Sequence, residues 1–107
     1  MIKVRFVIGE NRLVGFEISG HSMFAECGSD IVCAAVSSAA IMTANTVTDV
    51  ISADAQADVH EGYLRLILNS PDENAEKVLE GFKIHMTGLS KQYPQNIKII
   101  YGGVKNA

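Results

Sequence analysis

The sequence predicts an α+β protein: a two-layer α/β sandwich in the order β-β-α-β-β-α-β, a mixed sheet with two helices on one face. Three observations carry this. Short stretches at both ends and in the middle alternate apolar and polar residues with the two-residue period of half-buried strands. The run from Asp30 to Ile51, DIVCAAVSSAAIMTANTVTDVI, is too long for a strand. A third stretch, opened by SPDE at 70–73, repeats apolar residues at helical spacing. Strand pairs interleaved with helices fold most simply with the helices layered on the sheet.

The elements justify themselves in order. Ile2, Val4, Phe6 and Ile8 alternate with Lys3 and Arg5 and read as a first strand. Gly9, Glu10 and Asn11 are turn residues. From Leu13 to Gly20 the alternation resumes, with Val14, Phe16 and Ile18 on one face and Glu17, Ser19 and His21 on the other. The two strands make a hairpin, and His21 stands where the second ends. Residues 22–29 form a loop bounded by Gly20 and Gly28. Ser29 and Asp30 are both good N-caps, so a helix is expected from there to about Ile51. Its apolar residues run nearly all the way round, which predicts burial on most sides, within the domain or against a second subunit. Ala57–Glu61 and Tyr63–Leu68 read as two strands turning near Glu61 and Gly62. In the second helix Ser70 is the expected cap, Pro71 the first helical residue and Glu73 the partner in a capping box. Its buried stripe is Ala75, Val78, Leu79, Phe82, Met86 and Leu89, and Pro94 ends it. Ile97, Ile99 and Tyr101 form a last strand, and GGVKNA is a loose tail.

Composition narrows the class. With 107 residues, 48% hydrophobic and 20% charged, the chain fits one globular domain, residues 1–107, and not a disordered segment. A net charge of -3 and the lack of a dense basic run argue against direct nucleic-acid binding. No segment reads as the roughly 20 apolar residues of a membrane span. The opening MIKVRFVIGEN lacks the apolar run of a signal peptide, so the cytoplasm is the expected compartment. Thiols stay reduced there, so Cys27 and Cys33 are expected to be free.

The stretch with most chemistry is GHSMFAECGSDIVCAAVSS, residues 20–38. Cys33 is the third helical residue if Asp30 is the cap and the fourth if Ser29 is. In either case its sulfur lies near the unpaired N–H groups and the positive end of the helix dipole, where the nucleophilic thiolate is favoured. His21, brought back by the loop, would supply a general acid and base. Asp30 could cap the helix or polarise the site, but its short side chain cannot do both at full strength. A small buried cysteine in an alanine-rich helix is the plainer reading of Cys33. Metal binding by His21, Cys27 and Cys33, with Asp30 as a fourth ligand, is disfavoured, since structural zinc sites pair their cysteines and histidines two to four residues apart and these three are six apart each time. The loop also lacks GxxxxGK[ST] and any lysine. No metal or cofactor is expected.

Gly20 and His21, followed after a short loop by DIVCAAVS from Asp30 to Ser37, resemble the ribosomal-processing cysteine proteases of bacteria, the Prp or YsxB family. The likeness extends over nearly the whole chain in length and element order. It implies a cysteine endopeptidase that removes the N-terminal extension of a large-subunit ribosomal protein precursor, the protein numbered 27, by cleavage after aromatic residues. On this resemblance Cys33 is the nucleophile and His21 the general base and acid. Asp30 and Ser37 match further polar positions of the motif, Ser37 one helical turn after Cys33 and able to support the site by a hydrogen bond. Gly20 would let the chain approach the substrate closely. The resemblance also implies a homodimer, in keeping with the very apolar first helix. Two positions depart from the common motif: Ser22 where alanine is frequent, and Cys27 as an extra thiol able to form an inactivating bond to Cys33. The loop is expected to be mobile and to order over substrate. First-turn N–H groups near Cys33 are candidate oxyanion donors. A non-catalytic ribosome-associated binding module and a metal-binding regulator are the competing classes. His60 and His85 read as structural or surface residues.

Overall fold

The computed structural model describes residues 1–20 and 30–103. Strands β1 (Ile2–Gly9), β2 (Arg12–Gly20), β3 (Ala55–His60), β4 (Tyr63–Leu68) and β5 (Ile97–Gly103) form one sheet in the order β3-β4-β2-β1-β5. Every neighbouring pair is antiparallel except β1 and β5, which run parallel. The sheet is therefore mixed, as the strand-and-helix order predicts. Helices α1 (Ile31–Asn45) and α2 (Glu73–Gln92) pack on one face. Between them and the sheet lies a core that includes Val4, Phe6, Phe16, Leu66, Val32, Val36, Leu79 and Phe82. Phe82 drives α2 onto the sheet, with ring centroids 4.4 Å from Phe16 and 5.9 Å from Phe6.

The β1–β2 hairpin turns through Glu10 and Asn11, both at positive φ (52° and 65°). Such two-residue turns match the twist of the flanking strands. A register shift follows between Val7 and Ile8, where Val7 pairs with Gly15 and Ile8 with Leu13. Val14 is the extra residue of this bulge, and it moves Leu13 into the core in place of Val14. The inward set is thus Leu13, Phe16 and Ile18, a correction to strict alternation. β3 likewise starts two residues earlier than expected and ends at His60. Its ladder runs from Ala55 opposite Leu68 to His60 opposite Tyr63, leaving Glu61 and Gly62 (φ 71°) for the turn. Gly102 and Gly103 are strand rather than tail: they pair with Val7 and Ile8, and the Arg5 guanidinium lies against Gly102 and donates to the Gly103 carbonyl at 2.8 Å.

α1 is capped by Asp30 and runs on into one π-helical turn, Thr46–Val50. Thr43, Thr46 and Thr48 donate their hydroxyls to carbonyls four residues back, at 2.8, 2.7 and 3.0 Å. Such bonds loosen a regular helical ladder and accompany bends. Ser52, at φ 59°, stops the helix. Only one stripe of α1 is buried: Val32, Val36, Ala40, Thr43, Ala44, then Val47. Ile31, Ile41, Met42 and Val50 are exposed, so the expected burial on most sides does not hold within one copy of the chain. The 20 residues Ile31–Val50 are long and apolar enough, by length and composition, to cross a membrane, which corrects the expectation that no segment is. Their buried stripe forms one wall of the core.

The cap of α2 is Asp72, not Ser70. Asp72 accepts from the Ala75 amide at 2.9 Å and Glu73 is the first helical residue, so Pro71 stays outside the helix. Both candidate caps lie before the same apolar stripe. The choice falls to Asp72 because the backbone just upstream is tied back to β3, the Asn69 amide donating to the Asp54 carbonyl at 2.7 Å. Pro94 follows the C-cap Tyr93, whose φ and ψ of -127° and 64° have already left the helix.

Candidate active site

Cys33 occupies the third position of α1, because Asp30 and not Ser29 is the cap. Asp30 is almost wholly buried, 8% exposed. One of its carboxylate oxygens accepts from Val32 N at 2.9 Å and from Cys33 N at 3.0 Å. Its backbone carbonyl accepts from Ala34 N at 3.1 Å. Asp30 is thus a helix cap first, and it engages the first-turn N–H groups of Val32, Cys33 and Ala34. That limits the oxyanion expectation: among the described residues, the first-turn donor with no acceptor is Ile31 N.

The sulfur is half-buried at the head of a cleft of about 320 Å³ between α1 and the turn end of β3–β4. On the helix side the cleft is lined by Cys33, Ser37 and Ile41, a run spaced four residues apart on one face. Across from them stand Val59, His60 and Tyr63. The lining is mainly apolar, with few polar groups, as suits a side chain of a bound peptide. Ser37 is exposed one turn after Cys33, and among the described residues no hydrogen bond joins the two.

Gly20 also lines the cleft, but its identity has a more local cause than substrate approach. Its φ is +90°, and a Cβ there would collide with the Met1 carbonyl oxygen. Its amide donates to the Gly62 carbonyl at 3.1 Å, tying the end of β2 to the β3–β4 turn. The end of β2 is therefore braced at Gly20. His21 and Cys27, and with them the expected dyad contact and the loop 22–29, lie outside the described residues. Among the described residues Cys33 forms no disulfide.

Sequence reasoning passed over the far wall. His60 is exposed and stacks on Tyr63 with ring centroids 5.9 Å apart. The Tyr63 hydroxyl donates to Glu17 Oε2 at 2.6 Å, and Arg65 Nε lies 3.8 Å from the same oxygen. That hydrogen bond to a carboxylate, with burial and the Glu17 charge adding to it, raises the Tyr63 phenol above its ordinary value of 10.0. The available signal was the HEGY turn, which marks the hairpin tip but not that the tip faces Cys33.

A half-buried cysteine in the first turn of a helix, beside a mainly apolar cleft in a small α+β sandwich, is the placement a thiol hydrolase uses. The chain matches the family model described as cysteine protease Prp over residues 1–98, and it belongs to that family. It is accordingly a cysteine protease, a hydrolase acting on peptide bonds. The ribosomal processing cysteine protease Prp of Bacillus subtilis (strain 168) is 24% identical over 94 residues, covering 81% of this chain and 84% of the relative. S. aureus Prp, solved with a covalently linked product peptide, superposes with a TM-score of 0.88 at 21% identity, over 95% of this chain and 100% of the other. The Streptococcus mutans protein SMU.848 superposes with a TM-score of 0.76 at 27% identity, over 97% and 96%. These likenesses bear out the α+β sandwich.

Proposed function

We propose that Cys33 is the nucleophile and His21 its general base and acid in an endopeptidase that trims the N-terminal extension of a ribosomal protein precursor. The observation that carries this is the place of Cys33: third in a helix capped by Asp30, at the head of the cleft. The ribosomal substrate is supported by the B. subtilis relative, which is a ribosomal processing protease by name. A peptide partner is supported by S. aureus Prp, crystallised with a substrate peptide.

In this mechanism the Cys33 thiolate attacks the scissile carbonyl carbon, and the carbonyl electrons move to oxygen. The Ile31 N–H, at the positive end of α1, is the described donor suited to that oxyanion. His21 then protonates the leaving amine as the C–N bond breaks, forming a thioester with Cys33. Water, deprotonated by His21, hydrolyses the thioester and frees the thiol. The reducing cytoplasm would keep Cys33 competent. A second copy of the chain covers Ile41, Met42 and Val50; Met42 is 70% exposed beside Asn45 and Asp49, an apolar patch with a polar rim.

The test is cleavage of a peptide spanning a ribosomal precursor extension, comparing wild type with Cys33→Ala and His21→Ala under reducing conditions. Hydrolysis by wild type alone, with unchanged circular dichroism in the variants, is expected. Wild-type inactivity, or turnover by Cys33→Ala, would end the assignment. Sedimentation of the same samples reads the dimer, and a monomer at assay concentration would remove it.

A further inference from the structure

The sheet face away from the helices has a charge pattern that the chain-wide balance conceals. The strand registers place on it Lys3, Arg5, Lys98 and Arg65, with Glu17 and Asp58. That is four of the nine cationic side chains against two of the twelve acidic ones, so the face is net positive in a chain of net charge -3. The two carboxylates lie in one transverse row, Asp58–Arg65–Glu17–Arg5, where cations alternate with them. The neighbouring row has none: His60 pairs with Tyr63, Tyr63 with Ser19, Ser19 with Lys3 and Lys3 with Lys98.

This row departs from the usual rule for sheets. Like charges on adjacent strands in register are unfavourable, yet Lys3 and Lys98 are directly paired. Both are exposed. At the other end of the row the exposed His60 ring extends the stack on Tyr63, whose hydroxyl is held by Glu17. Strands about 4.8 Å apart give the five residues a span of roughly 19 Å. A second cleft of about 310 Å³ opens beside the row, lined by Arg5, Glu17, Tyr63 and Arg65 among others.

We propose that this open sheet face binds single-stranded RNA, with phosphates on Lys3 and Lys98 and a base stacked on the His60–Tyr63 pair. Lysines at one end and stacked rings at the other are what a single strand requires: cations for its backbone and π-faces for its unstacked bases. An acidic peptide would use the lysines but leave the rings without a partner. Lys3 and Lys98 lie outside the Cys33 cleft, whereas His60 and Tyr63 also line it, so the stacked base would sit at the rim of the active site.

The experiment is fluorescence anisotropy of a labelled 12-nucleotide oligouridylate with the full chain, at several salt concentrations. Binding in the range of about 10⁻⁶–10⁻⁴ M is expected at low salt, weakening roughly tenfold between about 50 and 200 mM salt if two or three phosphates are neutralised. The double variant Lys3→Gln/Lys98→Gln should bind at least about fivefold more weakly, with a shallower salt slope. Its peptide cleavage should equal wild type, since neither lysine lines the Cys33 cleft. No binding at low salt, or binding unchanged in the double variant, would overturn the proposal. Equal binding of a labelled polyglutamate of the same length would also overturn it, in favour of an acidic peptide.

Discussion

Replacing Asp30 by alanine would test the local architecture of the active site most directly. In the wild type its carboxylate takes the amides of Val32 and Cys33 at 2.9 and 3.0 Å, in a position only 8% exposed. Alanine leaves both donors at the buried helix start without that acceptor, and loss of an N-cap costs about 1–2 kcal/mol. The burial places the expected loss near the upper figure, about 2 kcal/mol. An unfolding entropy of about 2.1 cal/mol/K per residue converts this to a melting temperature lower by roughly 9 °C. Asp30→Asn keeps an oxygen acceptor in place and gives up the charge at the helix N-terminus, worth about 0.5 kcal/mol. The assay is urea denaturation of the three proteins, read as a shift in midpoint at constant slope, with peptide hydrolysis measured in parallel. Equal stability of Asp30→Ala and wild type would refute the capping argument. A stable but inactive Asp30→Asn would show that the carboxylate acts in the chemistry as well as in the cap.

Glycine offers a paired test. Gly20→Ala should destabilise by at least about 1 kcal/mol, since it forces a side chain to φ +90° and against the Met1 carbonyl. Gly81→Ala, on the exposed side of α2 with nothing within 4 Å of the added Cβ, should stabilise by about 0.5–1 kcal/mol. Urea midpoints decide both, and a gain in stability at Gly20 would contradict the bracing role assigned to it. Tyr63 supplies a pH signature. Its phenol is raised above 10.0 in the fold by the bond to Glu17, so its contribution to stability is fully present below pH 10 and is lost as pH rises through the higher folded value. Spectrophotometric titration of tyrosinate should show one late-ionising tyrosine that moves down in Glu17→Gln. In Tyr63→Phe this component of alkaline destabilisation should be absent, and an unchanged profile would count against the assignment.

Much of the fold could be read in advance because its signals are local. Alternation located β1, β2, β4 and β5, and the turn residues between them set the hairpins. The apolar stripe of α2 is buried at Ala75, Leu79, Phe82 and Met86 as its spacing requires. The departures occur where distant residues decide. The bulge at Val14 answers to pairing with β1. Asp72 takes the cap from Ser70 because the chain before it is tied to the end of β3. The exposed side of α1 cannot be told from its buried side by composition, since both are apolar.

By itself the sequence determined the element order, the α+β class, and a cysteine in the first turn of a helix. These depend on periods of two and 3.6 residues and on caps, all legible within a few residues. Only the tertiary structure decided that Asp30 holds the Cys33 amide, that the wall facing the thiol is Val59, His60 and Tyr63, and that Lys3 meets Lys98 across a carboxylate-free row. Those facts follow from strand register, which brings together residues far apart in the chain and has no signature at either position alone.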